Sequence, residues 1–153
     1  SMARVNPPLR TSQDVKGILA GLKDGTIDVI ATDHAPHSAE EKARPLPDAP
    51  SGMVGLETSL ALSLTALYHS GKLPLPWVIA KMSAAPSIIL GISKGTLAVG
   101  ADADLVIFDE DEEWTIDPAQ FRSKGRNTPF AGRKVKGKVK YTISGGTIIY
   151  QEG

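Results

Sequence analysis

The chain has 153 residues, 17 Lys+Arg against 17 Asp+Glu, three His, no Cys and 41% hydrophobic residues, which suits one soluble domain and excludes a disordered chain or a membrane span. The lack of Cys rules out a disulfide scaffold and a thiolate zinc site and points to a reducing, cytosolic compartment. Zero net charge argues against bulk nucleic-acid affinity. Ser1-Met2 reads as a cloning-derived start ahead of an internal segment, with no signal peptide behind it.

From Thr11 to Lys23, Val15, Ile18, Leu19 and Leu22 fall at i, i+3, i+4 and i+7, the stripe of an amphipathic helix. Thr11 and Asp14 have capping-box spacing, and Gly25 suits a left-handed helix end. Ile27-Asp28-Val29-Ile30-Ala31 follows as a short β-branched run, predicting a parallel-sheet strand buried on both faces. Thr32 to Gly52, with Pro36, Pro45, Pro47 and Pro50, reads as a long loop, and loops of such length in compact domains are often functional. Helical spacing returns from Val54 to Tyr68 through Leu56, Leu60, Leu64 and Leu67. A further helix is expected over Leu75–Ala84 with Pro76 in its first turn, and Pro86–Leu90 looks like one short turn.

Beyond Gly91 the sequence becomes glycine-punctuated and β-like, which places a boundary near residue 92. Leu105–Phe108 reads as a strand core, and Tyr141–Ser144, Gly145-Gly146 and Thr147–Tyr150 as a hairpin with a two-residue turn. Charge is segregated here: eight acidic residues lie between Asp102 and Asp117, and eight basic ones between Arg122 and Lys140. Lys134, Lys136, Lys138 and Lys140 alternate with Val135, Gly137, Val139 and Tyr141, as in a strand with one wet face. An exposed or edge strand protected by Lys is the expectation, not a nucleic-acid patch, since no stacking aromatics are interleaved.

Chemistry concentrates in Asp33-His34-Ala35-Pro36-His37, where the expected strand ends. In α/β sheets and barrels the C-terminal ends of strands carry ligands and catalytic groups. Asp33 there could ligate a divalent metal or shuttle a proton, and His37 could donate to an anionic substrate. The plainer alternative makes Asp33 a turn cap, His34 a satisfied buried imidazole and His37 a surface residue. Near the end of a Leu-rich helix, His69 suits the helix dipole and needs no other role. Asn6-Pro7-Pro8-Leu9-Arg10 holds the Asn6 amide ahead of the helix, and at Pro50-Ser51-Gly52 the glycine lets backbone N–H groups approach a ligand.

These motifs resemble the dihydroorotases of the amidohydrolase superfamily, in their longer bacterial type. The resemblance runs through Asn6–Arg10, Asp33–His37 and Ser51–Glu57 to Gly95–Val106, the last similar to the run by which many amidohydrolases enter a small β-sandwich. It implies an α/β fold in which residues 1–91 are the C-terminal part of a TIM-like (β/α)₈ barrel. Residues 92–153 would be the C-terminal strands of a composite β-sandwich. It also implies a cytoplasmic, zinc-dependent hydrolase with two zinc ions per site, interconverting dihydroorotate and carbamoyl aspartate in pyrimidine (UMP) biosynthesis. Asp33 would ligate one zinc and act as the base that passes a proton to the leaving amide nitrogen. Asn6 and His37 would hold the substrate, with Ser51 and Gly52 completing the pocket.

The family's His-x-His pair, bridging carboxylate or carbamylated Lys and two further His are not found in this sequence, and His34, His37 and His69 do not match ligand positions. A whole barrel takes about 250 residues. The chain alone is therefore expected to be inactive and without its zinc, with the N-terminal portion of the same enzyme as its partner. A homodimer or a contact with aspartate carbamoyltransferase is possible on this reading, and neither nucleic acid nor membrane is expected. The alternatives are a non-catalytic structural partner of aspartate carbamoyltransferase, or another cyclic amidohydrolase, an allantoinase or hydantoinase, against which His37 argues.

Overall fold

A computed structural model describes residues 1–153. Helix α1 runs from Ser12 to Asp24 with the expected capping box: the Thr11 hydroxyl accepts from Asp14 N–H, and the Asp14 carboxylate accepts from Thr11 N–H at 2.9 Å. Gly25 ends it in the left-handed conformation. Only Leu22 of the apolar stripe is buried, while Val15 and Ile18 remain exposed.

The strand expected at Ile27–Ala31 is not formed. The segment carries no strand ladder, and Ile30 N–H is satisfied instead by Lys81 O at 2.9 Å. Its burial on both faces fails too, since Asp28 and Ala31 are exposed. A parallel strand needs neighbours on each side to pair with, and here the one parallel contact is the isolated bridge His34–Met53.

The loop expected over residues 32–52 contains a short helix, α2 (Ala39–Ala43), inside the mixed-charge patch. Its stabiliser is local: the Ser38 hydroxyl and the Glu41 carboxylate form a second reciprocal capping box. The helix expected from Val54 starts later, as α3 (Ser59–Ser63), and continues as a π-helical turn over Leu64–Tyr68. Residues Val54–Thr58 are taken up by the bond from Val54 N–H to Asn127 O and a turn at Gly55. Helix α4 (Leu75–Met82) has Pro76 in its first turn as expected, whereas Pro86–Leu90 belongs to a seven-residue helix, α5 (Ala84–Leu90).

Strands β1 (Leu105–Thr115), β2 (Lys134–Ser144) and β3 (Thr147–Gln151) form one antiparallel sheet in the order β1-β2-β3, with the β2-β3 hairpin as expected. The Lys-bearing β2 is the central strand, not an edge. Its lysines meet the acidic set across the sheet: Asp109 pairs with Lys138 and Glu113 with Lys136 in register. Lys140 contacts Glu112 and Glu152, and Lys138 lies 3.4 Å from Glu152. The charge segregation is thus a cross-strand pairing pattern.

Two small hydrophobic cores join helices to sheet. Val54 and Ala61 pack with Ile116, Phe121 and Val135, and Leu22, Leu64, Leu73 and Val78 pack together with Phe108 against them. Both cores cross residue 92. Only 18 of the 153 residues are buried, so much apolar surface is left open. No helix is long and apolar enough to cross a membrane.

Candidate active site

The stretch from Thr32 to His37 is extended and runs beside Gly52–Gly55. Asp33 sits in the left-handed region, φ 44°, which Asp tolerates better than most residues but which concentrates at functional positions. It is exposed, and its carboxylate makes no hydrogen bond within the chain. The next residue fastens the segment down: His34 Nδ1 accepts from Gly55 N–H at 3.1 Å and Leu56 N–H at 3.4 Å. Ala35 N–H donates to Met53 O at 2.9 Å. His34 is therefore a satisfied, half-buried imidazole, as the plainer alternative had it.

Three of the expected site residues meet. His37 Nε2 donates to Ser51 O at 3.1 Å, and His37 Nδ1 lies 3.8 Å from the Glu41 carboxylate. The Glu41 carboxyl is held below its ordinary value, chiefly by the Ser38 N–H bond, so it stays an anion beside the ring. Gly52, at φ 140°, packs so tightly that a Cβ there would lie 2.6 Å from Ala35 Cβ and 3.0 Å from His37 Nε2. Asn6 lines an open depression together with Ser51, Arg4, Leu9 and Leu46. The Asn6 amide and the Ser51 N–H make no hydrogen bond within the chain, so both remain available to a ligand. No contact joins Asp33 to this group. His69 lies elsewhere, with Nε2 2.8 Å from Glu110 O.

Two buried polar side chains that the sequence reading did not single out hold these loops. Lys42, 1% exposed, donates to Pro50 O and Gly52 O at 3.0 Å each and to Arg4 O at 3.2 Å. Burial pushes its pKa down, with Arg4 adding to the effect. The other is Asn127, which bonds to both loops. Nothing in the spacing of a Glu-Glu-Lys-Ala run or an Arg-Asn-Thr-Pro run marks either; a lysine flanked by capping-box residues in a Pro-rich loop was the one available hint.

The metal ions that the resemblance implies find no complete site in these residues. No group of three His, Cys, Asp or Glu side chains comes together in the chain, and His34 and His37 are each committed to backbone groups. Asp33 is one free carboxylate, against the three or four protein ligands a zinc site uses.

The family model described as "Amidohydrolase family" matches residues 3–149. The chain is 52% identical over 151 residues to a protein named dihydroorotase from Anaplasma phagocytophilum (strain HZ), covering 99% of this chain and 34% of that protein. It is 54% identical over 149 residues to a dihydroorotase from Pelotomaculum thermopropionicum, covering 97% of this chain and 35% of that protein. Among solved structures, the L-hydantoinase (dihydropyrimidinase) from Arthrobacter aurescens superposes with a TM-score of 0.91 at 37% identity, over 98% of this chain and 34% of that one. The chain thus spans about a third of the length of the relatives it matches.

Proposed function

Because this chain belongs to the amidohydrolase family, matched over residues 3–149, we propose that it forms the C-terminal third of a dihydroorotase, a cytoplasmic enzyme that reversibly opens the cyclic amide of dihydroorotate to carbamoyl aspartate. The observation that carries the reading is identity of 52–54% to proteins named dihydroorotase over nearly the whole chain. Residues 1–91 would supply the last part of a (β/α)₈ barrel and 92–153 the closing strands of a β-sandwich. Zinc would be held by ligands outside this chain, with Asp33 adding one carboxylate.

Each residue's task follows from its surroundings. The Asn6 amide and the free Ser51 N–H, on one depression, suit the carboxylate of an anionic ring. His37 braces Ser51 and, opposite Glu41, keeps an imidazole at the same loop. The unpartnered Asp33 carboxylate is free to pass a proton to the leaving amide nitrogen, a role worth about 10²–10⁴-fold in rate. The likeness to hydantoinases supports a second reading, a hydrolase of other cyclic amides. A third, a non-catalytic partner of aspartate carbamoyltransferase, differs in having no turnover at all.

The test compares the purified 153-residue chain with the same chain extended to the length of its relatives, both supplied with zinc. The proposal expects dihydroorotate turnover from the long form and none from the short one. Turnover by the short chain would overturn the divided site. A long form that opens hydantoins but not dihydroorotate would favour the second reading, and one with no activity the third.

A further inference from the structure

Asn127 belongs to the segment that leads from Phe121 to β2, and it is 3% exposed. A carboxamide offers an acceptor oxygen and two N–H donors, and this one uses both ends on the two candidate binding loops. Its Oδ1 accepts from His37 N–H at 2.9 Å. Its Nδ2 donates to Ala35 O at 3.3 Å and Gly52 O at 3.2 Å. Its backbone oxygen accepts from Val54 N–H at 3.0 Å. A single side chain 75–92 residues away in sequence thus ties the His37 loop to the Gly52 loop.

The segment that carries Asn127 is itself anchored on both sides. Glu57 accepts from Arg122 N–H, Ser123 N–H and the Ser123 hydroxyl at 2.7–3.0 Å. Gly125 sits against Pro36, so closely that a Cβ would fall 2.5 Å from the proline's Cβ. With its own backbone held, Asn127 transmits the position of the β-rich half to the loops. Gly52 O also takes the Lys42 ammonium, so that carbonyl is gripped by two buried donors.

We propose that Asn127 is a positioning residue for the substrate pocket: by bonding His37 and Gly52 at once it sets the spacing of the two binding loops, and substrate affinity depends on it. The proposal rests on the reading of His37, Ser51 and Gly52 as the substrate-holding loops. Asn127→Asp is the sharpest probe, because it keeps the acceptor for His37 N–H and turns the donor toward Ala35 O and Gly52 O into a repelling oxygen. Asn127→Ala removes all three side-chain bonds.

The experiment measures steady-state kinetics on dihydroorotate in the full-length zinc enzyme for Asn127→Asp, Asn127→Ala, His37→Ala and the Asn127→Ala/His37→Ala double variant. Amide hydrogen exchange at His37 is followed alongside. The expected result is KM raised about tenfold or more with kcat within about threefold, the size of one lost charge-free hydrogen bond network of about 1.4 kcal/mol. The double variant should show no higher KM than His37→Ala alone, and exchange at His37 should quicken in Asn127→Asp. If Asn127→Ala does not fold, Asn127→Asp and its exchange decide. Raised KM in His37→Ala beside unchanged KM in Asn127→Asp would overturn this proposal alone, as would effects that multiply in the double variant. Unchanged KM in His37→Ala would instead overturn the underlying substrate reading, and the affinity role of Asn127 with it.

Discussion

Gly52→Ala puts a methyl group into the tightest backbone contact of the candidate site. The new Cβ would stand 2.6 Å from Ala35 Cβ and 3.0 Å from both Ala35 O and His37 Nε2. Ala35 cannot swing aside, because its N–H is bonded to Met53 O and its carbonyl to Asn127. Position 52 also has φ 140°, a region that side-chain-bearing residues avoid at a cost of about 1–3 kcal/mol. Overpacking adds about 1–3 kcal/mol, so a loss of about 2–6 kcal/mol follows if the two add. Gly132→Ala is the control: φ is 76° there, nothing lies within 4 Å of the added Cβ, and only backbone strain of about 1–2 kcal/mol applies. Urea unfolding followed by Trp77 and Trp114 fluorescence measures both. A Gly52→Ala variant that costs no more than Gly132→Ala would refute the rigid packing of the two loops.

Lys42→Met leaves Pro50 O without a partner, while Arg4 O keeps Gly52 N–H and Gly52 O keeps Asn127; denaturant titration should show a loss of about 1–3 kcal/mol. Because the folded-state pKa of Lys42 lies below 10.5, the unfolded chain binds more protons just below that pH, so stability rises with pH through this window. Lys42→Met should lose that rise in a pH series of melting temperatures. Burial raises the Glu57 carboxyl's pKa, but bonds from Arg122 and Ser123 outweigh it and bring the value below 4.5. The tether's contribution is therefore full above pH 4.5 and is lost as pH falls through the depressed value, and Glu57→Gln should flatten that acid limb. Finally, Leu97 and Val99 are 85% and 107% exposed and Ile88 79%, a concentration of open apolar surface that should drive self-association of the 153-residue chain; sedimentation velocity showing a monomer at all concentrations would contradict this.

Signals contained within a few residues were legible in the sequence. Thr11 and Asp14 announce the start of α1 because a capping box is closed by residues three apart, and Gly145-Gly146 announces the hairpin because two adjacent residues make the turn. The same rule explains α2, whose Ser38 and Glu41 spacing was available but lay hidden in a Pro-rich loop. Ile27–Ala31 misled because a strand is a statement about neighbours, and β-branched composition does not supply them. Lys134–Lys140 misled in a similar way: alternation reveals a wet face but not that acidic residues of β1 and β3 cover it. In the candidate site, Asp33, His37 and Gly52 stood out by residue type and motif, while Asn127 and Lys42 act through contacts that only the folded chain creates.

The most direct test of the central claim is kcat for dihydroorotate in the full-length zinc enzyme carrying Asp33→Asn, with bound zinc and melting temperature measured on the same sample. If Asp33 moves the proton, kcat should fall about 10²–10⁴-fold in protein that remains folded and metal-loaded. An Asp33→Asn enzyme that turns over within a few-fold of the parent would contradict the account.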